Sequence, residues 1–339
     1  MVAGLRPAFR NFWRCYSSRL HGGKPCFEGL RIRRASLNGQ GMSSYPPRAQ
    51  ALVETMLAAA AASPATAIAF QGAPGAYSHQ AVRELFPAAP ALPCASFEDA
   101  LEAVQDGRAI NAVIPIENSL HGRVADMHFL LPESGLFITG EHFVRVRHCL
   151  LGIGRQDELR QVISHPQALG QCRNRTRGWG LEAVGYFDTA AAAAQVAGGG
   201  DAGVAAIASK LAAELYGLTI FAEGIEDADH NTTRFVVLAR EAAATPPAGT
   251  PTMTSLNFEV RNVPAALFKS LGGFATNGIN ITKLESYIRD GSFAAAEFYA
   301  EIVGSPDDAG VQLAMEELRF HTKWVKILGS YPQTRSRTS

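Results

Sequence analysis

Residues Asp229 to Leu238, in the order Asp-His-Asn-Thr-Thr-Arg-Phe-Val-Val-Leu, set amide, hydroxyl and guanidinium groups directly against an apolar strand. These are hydrogen-bond donors, and few of them are strong acids or bases. Donors fixed at a strand end suit an anionic ligand that is gripped and polarised. By the two-residue alternation of an extended chain, Thr233 and Phe235 share one face, while Arg234 points the other way or into an interface between lobes. A plainer account competes on this segment alone: a Thr/Asn turn leading into a core strand, with an ordinary ion pair for the arginine.

Further donors recur where apolar runs give way to polar ones: Ser78, His79, Asn118, Ser119, Gln167, Thr189 and Thr232. Other chemistries are absent. There is no Gly-x-Ser-x-Gly and no carboxylate pair at a strand end, as a hydrolase or glycosidase would need. Gly72-Ala73-Pro74-Gly75 lacks the lysine of a phosphate loop and the third glycine of a dinucleotide fingerprint. Gly198-Gly199-Gly200 follows a helical pattern and is expected to be a flexible turn. Cys15, Cys26, Cys94, Cys149 and Cys172 show no metal or redox spacing, so they are expected as structural thiols in a reducing compartment. His79, His165 and His230 read first as loop or capping histidines.

The elements that must position these groups alternate between short strands and amphipathic helices from Ala67 to Leu238. That is the pattern of a parallel or mixed sheet covered by helices. Strands are expected at Ala67 to Phe70, Ala112 to Ile116, Cys149 to Ile153, Val162 to Ser164, Val184 to Phe187, Val204 to Ile207 and Leu218 to Phe221. Helices are expected from Ser78 to Leu85 and after Ser96, whose Asp99 forms a capping-box-like start. Asp188-Thr189 caps an Ala-rich helix. In open α/β sheets ligands bind where strand ends and helix amino termini meet. Two such series, with the chain returning at Thr233, predict two lobes and a cleft between them.

Residues 241–253 are rich in Pro, Ala and Thr and read as a linker. Beyond it come a strand at Ser255 to Val260 and a helix at Pro264 to Phe274 opened by the proline. Strands at Ile279 to Leu284 and Ala294 to Ile302, a helix at Asp307 to Leu318 and a strand at Trp324 to Leu328 follow. Strand-helix-strand-strand-helix-strand is the split ferredoxin-like order.

The composition, 47% hydrophobic and 18% charged, is that of a globular enzyme, and no apolar run is long enough to span a bilayer. The net charge of zero hides an asymmetry. Residues 1–50 hold nine Lys or Arg against Glu28 alone, which leaves 22 basic and 30 acidic residues in the remainder. An acidic body argues against a nucleic-acid partner. The Arg-rich segment 1–41 reads as a targeting presequence or as a stretch outside the working protein, with Met42 as the expected start. Without import, the expected location is the cytoplasm.

Four segments, taken together, carry a family resemblance: Phe70-Gln71-Gly72-Ala73-Pro74-Gly75-Ala76-Tyr77-Ser78, Ile114-Pro115-Ile116-Glu117-Asn118-Ser119, Ser164-His165-Pro166-Gln167-Ala168-Leu169 and Thr233-Arg234-Phe235. In that order they make the chain resemble the prephenate dehydratases of phenylalanine biosynthesis, over Ala67 to Tyr331. The resemblance implies an α/β, two-lobed catalytic domain like that of periplasmic binding proteins at 66–240, with lobe 1 at 66–145 and 223–240 and lobe 2 at 146–222. A ferredoxin-like (βαββαβ) regulatory ACT domain at 254–332 would follow.

Prephenate is a dianion that loses carbon dioxide and a hydroxyl group as its ring becomes aromatic, so neither a cofactor nor a metal is expected. By the family pattern Thr233 is the catalytic hydroxyl, Phe235 shapes the ring pocket, and Arg234 attracts the dianion or ties the lobes. Ser78, Asn118, Ser119, Gln167, Thr189 and Thr232 would hold the substrate. Asn262, Pro264, Ala265, Ala266, Leu267, Glu285 and Ser286 match the segments that bind phenylalanine as an effector. Two departures stand out: Ala265 where glycine is common, and Tyr287-Ile288 where Arg-Pro is usual. A homodimer or dimer of dimers is expected. Two rivals remain open, an arogenate dehydratase and a non-catalytic amino-acid-binding sensor built from the same modules.

Overall fold

In this computed structural model, residues 45–247, 249–287 and 297–337 are described, apart from the side chains of Ala125 and His128. The expected leader, the start at Met42, Cys15, Cys26, Ile288 and residues 294–296 lie outside the described residues. The strands are β1 (Ile68–Gln71), β2 (Ala91–Cys94), β3 (Asn111–Asn118), β4 (Gly122–Arg123), β5 (Phe137–Arg145), β6 (Cys149–Gly152), β7 (Gln161–Ser164), β8 (Glu182–Gly185), β9 (Val204–Ala208), β10 (Thr219–Glu223), β11 (Thr232–Ala239), β12 (Thr252–Val260), β13 (Ile281–Tyr287), β14 (Glu297–Val303) and β15 (Thr322–Pro332). The helices are α1 (Pro47–Ala62), α2 (Tyr77–Leu85), α3 (Phe97–Gln105), α4 (Ala125–Ser134), α5 (Pro166–Gln171), α6 (Arg173–Gly178), α7 (Thr189–Gly199), α8 (Lys210–Tyr216), α9 (Ala266–Thr276) and α10 (Ala309–His321).

Three sheets organise the chain. The first has the order β2-β1-β3-β11-β5, with β4 added beside β3. Its β1, β2 and β3 are parallel, and β11 runs antiparallel between β3 and β5. The chain therefore leaves this sheet after β5, builds a second sheet β10-β6-β9-β7-β8, and returns through β11 into the middle of the first. That return is the physical reason for two lobes. The third sheet, β13-β14-β12-β15, is antiparallel throughout, and α9 and α10 cover one face of it, as in a ferredoxin-like fold.

The strand β11 shows how burial selects the two faces. Phe235 and Val237 pack with Phe70, Val82 and Val113 under α2, whereas Val236 and Leu238 join Ile114, Ile116 and Ile138 on the opposite side. That second cluster also takes in Met253, Tyr287, Tyr299, Leu328 and Tyr331, so the uncovered face of the third sheet buries itself on the first lobe. The approach is close enough to need a glycine: a Cβ on Gly329 would stand 2.0 Å from the Ile138 carbonyl oxygen.

The loop before α2 pins the lobes together elsewhere. Ser209 Oγ donates to the Gly75 carbonyl, and Tyr216 Oη donates 2.7 Å to that of Pro74. A Cβ on Gly75, where φ is +93°, would come within 2.8 Å of the Ala212 Cα.

Three expectations need correction. The proline does not open α9: Pro264 lies outside the helix, and Ala265 precedes it at φ 60° and ψ 22°, the sole non-glycine with positive φ among the described residues. A left-handed alanine breaks the helical path that Pro264 would have started. Gly198 and Gly199 are the last turn of α7, and Gly200 in the left-handed region ends it. The strand β5 and helix α4 fall where neither was expected. In β5 a register irregularity opposite Val237 and Leu238 breaks the two-residue pattern and puts Ile138 and Glu141 on one face, while Val144 is buried on the other, under α2.

Candidate functional site

The site begins at the register between β3 and β11, which sets Thr233 opposite Asn118. Asn118 Nδ2 donates both its hydrogens, one to Thr233 Oγ1 at 3.0 Å and one to Asn231 Oδ1 at 2.8 Å. Its Oδ1 accepts from the backbone amides of Leu120 and His121 at 3.0 and 3.1 Å. Asn118 is thus fully bonded to protein, and its task is to fix Thr233 and the turn that follows. It was expected to hold substrate, and here both hydrogens of its amide are taken by Thr233 and Asn231. Because Thr233 Oγ1 accepts from Asn118, its own proton remains to be directed elsewhere.

Ser119 and Thr232 act as a clasp. Ser119 Oγ donates to the His230 carbonyl and accepts from the Thr232 amide, each at 2.9 Å, and the Ser119 amide donates to the Thr232 carbonyl. These bonds close the loop before β11 onto the end of β3. Asn231, drawn in by Asn118, is 1% exposed, and its Nδ2 has no hydrogen-bond partner. A buried, unpaired donor costs on the order of 1–3 kcal/mol.

A polar chain runs from Asn118 across to the second lobe. His121 Nδ1 lies 3.2 Å from both Asn118 Oδ1 and Gln171 Nε2, between an acceptor and a donor. Gln171 Oε1 is 2.7 Å from His148 Nε2, and His148 Nδ1 is 3.0 Å from Tyr77 Oη. Burial pushes the His148 pKa down, against the opposing effects of Gln171 and Glu226. The single Tyr77 hydroxyl proton goes to the Arg147 carbonyl at 2.9 Å, so Tyr77 Oη meets His148 Nδ1 as an acceptor.

Sequence reasoning missed Gln171, His121, His148 and Tyr77. Gln171 was within reach of it, standing four residues after Gln167 on the same short helix, α5. Gln167 itself is exposed, with His165 capping its amide, and no side-chain bond joins it to this chain.

Helix amino termini supply the remaining candidates. Ser78 is buried in the first turn of α2. Thr189 is half-buried at the start of α7, beside Asp188, whose carboxylate accepts from the Ala191 amide at 2.7 Å. Burial pushes the Asp188 carboxyl up, while the amides of Ala191, Ala190 and Ala73 and the charge of His165 pull it back. His79 is stacked on Phe70 and accepts from the Gly75 amide at 3.0 Å. Burial, and secondarily Arg83, holds its pKa down at about 4, so it stays neutral as an acceptor.

Two candidates on β11 are enclosed by protein, Arg234 in the tying position that was one of its two expected roles. Arg234 is 3% exposed and faces away from the cleft. Its Nε donates to Glu141, Nη1 to both oxygens of Glu301 at 2.8 and 2.7 Å, and Nη2 to Tyr331 Oη at 2.9 Å. Through these bonds it joins the lobe to the third sheet. Phe235, expected to shape the ring pocket, is 1% exposed within the cluster under α2.

The expected effector residues are also distributed. Asn262 and Pro264 are exposed, Ala265 is strained, and Ala266 and Leu267 pack inward onto the third core. Ser286 is exposed, while Glu285 pairs with Arg123 of β4 at 3.4 Å.

Cys94, Cys149 and Cys172 are buried free thiols, and burial raises each pKa, that of Cys149 to about 11. Among the described residues, no helix is long and apolar enough to cross a membrane, and no three His, Cys, Asp or Glu side chains gather as a metal set would.

Comparison with known proteins matches this geometry to one family. Residues 68–243 match the family model for prephenate dehydratase. A bifunctional N-acyl-homoserine lactone acylase/prephenate dehydratase of Komagataeibacter europaeus is 49% identical over 272 residues, covering 80% of this chain and 97% of its own length. Arogenate dehydratase/prephenate dehydratase 1, chloroplastic, of Arabidopsis thaliana is 40% identical over 281 residues, with 78% of this chain and 71% of that protein covered. The crystal structure of a prephenate dehydratase in complex with L-Phe from Arthrobacter aurescens superposes with a TM-score of 0.72 at 28% identity, over 79% of this chain and 90% of that one.

Proposed function

The chain belongs to the prephenate dehydratase family, and on that premise we propose that it converts prephenate to phenylpyruvate at the Asn118–Thr233 strand ends. The reaction breaks the bond from the ring to its carboxylate, releasing carbon dioxide, and the electron pair enters the ring. The ring carbon–oxygen bond then breaks, and one proton turns the departing hydroxide into water. Aromaticity drives the step, so the protein's work is to orient a dianion and to stabilise the leaving oxygen.

The observation that carries this reading is the Asn118-to-Thr233 bond. It occupies the threonine oxygen as an acceptor and turns the hydroxyl proton toward the leaving group. Threonine is too weak an acid for full transfer, so it assists by hydrogen bonding, and water completes the proton balance. The backbone amides at the start of α2 would receive carboxylate oxygens. Ser78, Gln167 and Thr189 remain candidates for the same role, while Asn118, Ser119 and Thr232 shape the site through one another.

We assign the catalytic domain to 66–240, the linker to 241–253 and a regulatory ACT domain to 254–332. L-phenylalanine is the proposed effector at Asn262–Leu267 and Glu285-Ser286, and a homodimer or dimer of dimers the proposed assembly. A cytoplasmic location is proposed as well, and mass spectrometry of the native amino terminus checks it against import.

Arogenate is the alternative substrate, favoured by the naming of the Arabidopsis relative. The Komagataeibacter relative is also named as an acylase. Acyl transfer needs a nucleophile with a base beside it. Thr233 is bonded to an amide, and the described thiols are held protonated by burial. We therefore carry only the dehydratase activity to this chain. Purified protein should form phenylpyruvate from prephenate faster than phenylalanine from arogenate, and should leave an N-acyl-homoserine lactone intact. A strong arogenate preference, or no turnover of either substrate, would overturn the reading.

A further inference from the structure

The strands that carry Asn118 and Thr233 have a second face, and its charges meet the C-terminal sheet. One residue before Asn118, Glu117 is the register partner of Arg234, which itself precedes Phe235 and follows Thr233. Lys283 Nζ lies 3.1 Å from Glu117 Oε1, with the lysine side chain 9% exposed. Arg234 Nη1 lies 3.7 Å from Glu117 Oε2 while it grips Glu301 of β14. Arg123, the register partner of Glu117 on β4, pairs with Glu285 of β13.

By alternation Lys283, Glu285 and Tyr287 all leave β13 on one face, and Tyr287 is buried in the cluster shared with the first lobe. Two opposite-charge contacts, Lys283–Glu117 and Glu301–Arg234, therefore join the β13–β14 edge to the residues flanking the cleft amide and hydroxyl, and a third, Glu285–Arg123, reaches β4 beside Glu117. The rest of the interface is tightly seated. Gly329 admits no Cβ against Ile138, and Lys326 Nζ donates 2.7 Å to the Pro132 carbonyl. A movement of β13 has little slack in which to dissipate before it reaches β3.

We propose that Glu117 and Arg234 are positioning residues that tie the geometry of Asn118 and Thr233 to the β13–β14 edge. Through the Lys283–Glu117 and Arg123–Glu285 pairs, L-phenylalanine bound beside Glu285-Ser286 changes turnover at the cleft. This rests on the dehydratase reading. The device is directional: neutral groups face the substrate, and charged groups on the reverse of the same strands face the regulatory sheet. Of these contacts only Arg234–Glu301 is fully buried, and there moving a carboxylate relative to its cation is costly; the partly exposed Lys283–Glu117 and Arg123–Glu285 pairs add direction, so a shift at β13–β14 is passed to β3 and β11.

The test uses the full chain, with prephenate as substrate and L-phenylalanine as effector. Wild type is compared with Lys283→Met, Glu117→Gln and the charge-exchanged double variant Glu117→Lys/Lys283→Glu. Each single variant should lower kcat with KM nearly unchanged and reduce the response to phenylalanine by about 5-fold or more, the lower range of a coupling between sites. The double variant should recover part of both. Thermal melting identifies any variant that is not folded, and the milder Lys283→Gln then takes its place.

Folded variants that keep the wild-type kcat and phenylalanine response would overturn the proposal, as would a wild type that turns over prephenate with no response to phenylalanine. An inactive wild type would instead overturn the dehydratase reading on which the proposal stands.

Discussion

The two faces of the β3–β11 strand pair differ in chemistry although they alternate residue by residue. The cleft face presents Asn118 and Thr233, neutral and partly accessible, with the buried Asn231 beside them. The reverse face presents Glu117 and Arg234, charged and tied to the C-terminal sheet. A dianionic substrate might suggest an arginine in the cleft, yet the arginine of the motif neutralises protein carboxylates. Recognition is left to oriented hydrogen-bond donors, which stabilise a changing charge distribution with little reorganisation. Charge is used instead where a fixed geometry between domains is needed.

Removing the guanidinium is the harshest way to break this division. Arg234→Met should destabilise the protein by about 3–5 kcal/mol, because Glu301 would be left buried without its cation and Glu141 would keep only Arg337. Chemical denaturation measures it, and a loss under 1 kcal/mol would mean that Arg337, which also binds Glu141, compensates.

Acid separates the two sides by their pH windows. His79, beside the Gly75 turn, has a pKa of about 4 against an ordinary 6.5. The unfolded chain therefore binds the extra proton first, and stability present above pH 6.5 is lost as pH falls toward 4, by on the order of 3 kcal/mol. On the other side, burial raises the Glu301 pKa, but the charge and hydrogen bonds of Arg234 outweigh it and bring the pKa below its ordinary 4.5. That contribution is present above the unfolded value and is lost only as pH falls below it, so the domain interface should outlast the Gly75 turn. Denaturation midpoints from pH 7 to 4 for wild type and His79→Gln check the order, and equal slopes for both proteins would contradict it.

A smaller effect sharpens the interface side. Gly329→Ala forces a methyl group against the Ile138 carbonyl and should cost about 1–3 kcal/mol. Its thermal unfolding should show the C-terminal sheet loosening before the lobes.

Much of this was legible in the chain itself. Thr233 and Phe235 against Arg234 followed from strand alternation, and the Ser96 and Asp188 caps were visible as residue types; both cap bonds form, to Asp99 and Ala191. What escaped depends on distant segments. The partners of Arg234, Glu301 and Tyr331, are separated from it by long stretches of chain and carry no local signal. Gln171 and His148 become neighbours only once the second lobe has folded. Asn118 and Ser119 were recognisable as polar strand ends, but that they bond to the β11 segment depends on a register no pattern of one strand specifies.

The most direct measurement is the steady-state kinetics of Thr233→Ala on prephenate, beside its melting curve. The variant should keep a near wild-type melting temperature and KM while kcat falls by about 100-fold or more, the range for losing a donor to developing negative charge. A folded Thr233→Ala protein with wild-type kcat would contradict the assignment of the threonine hydroxyl to the leaving oxygen.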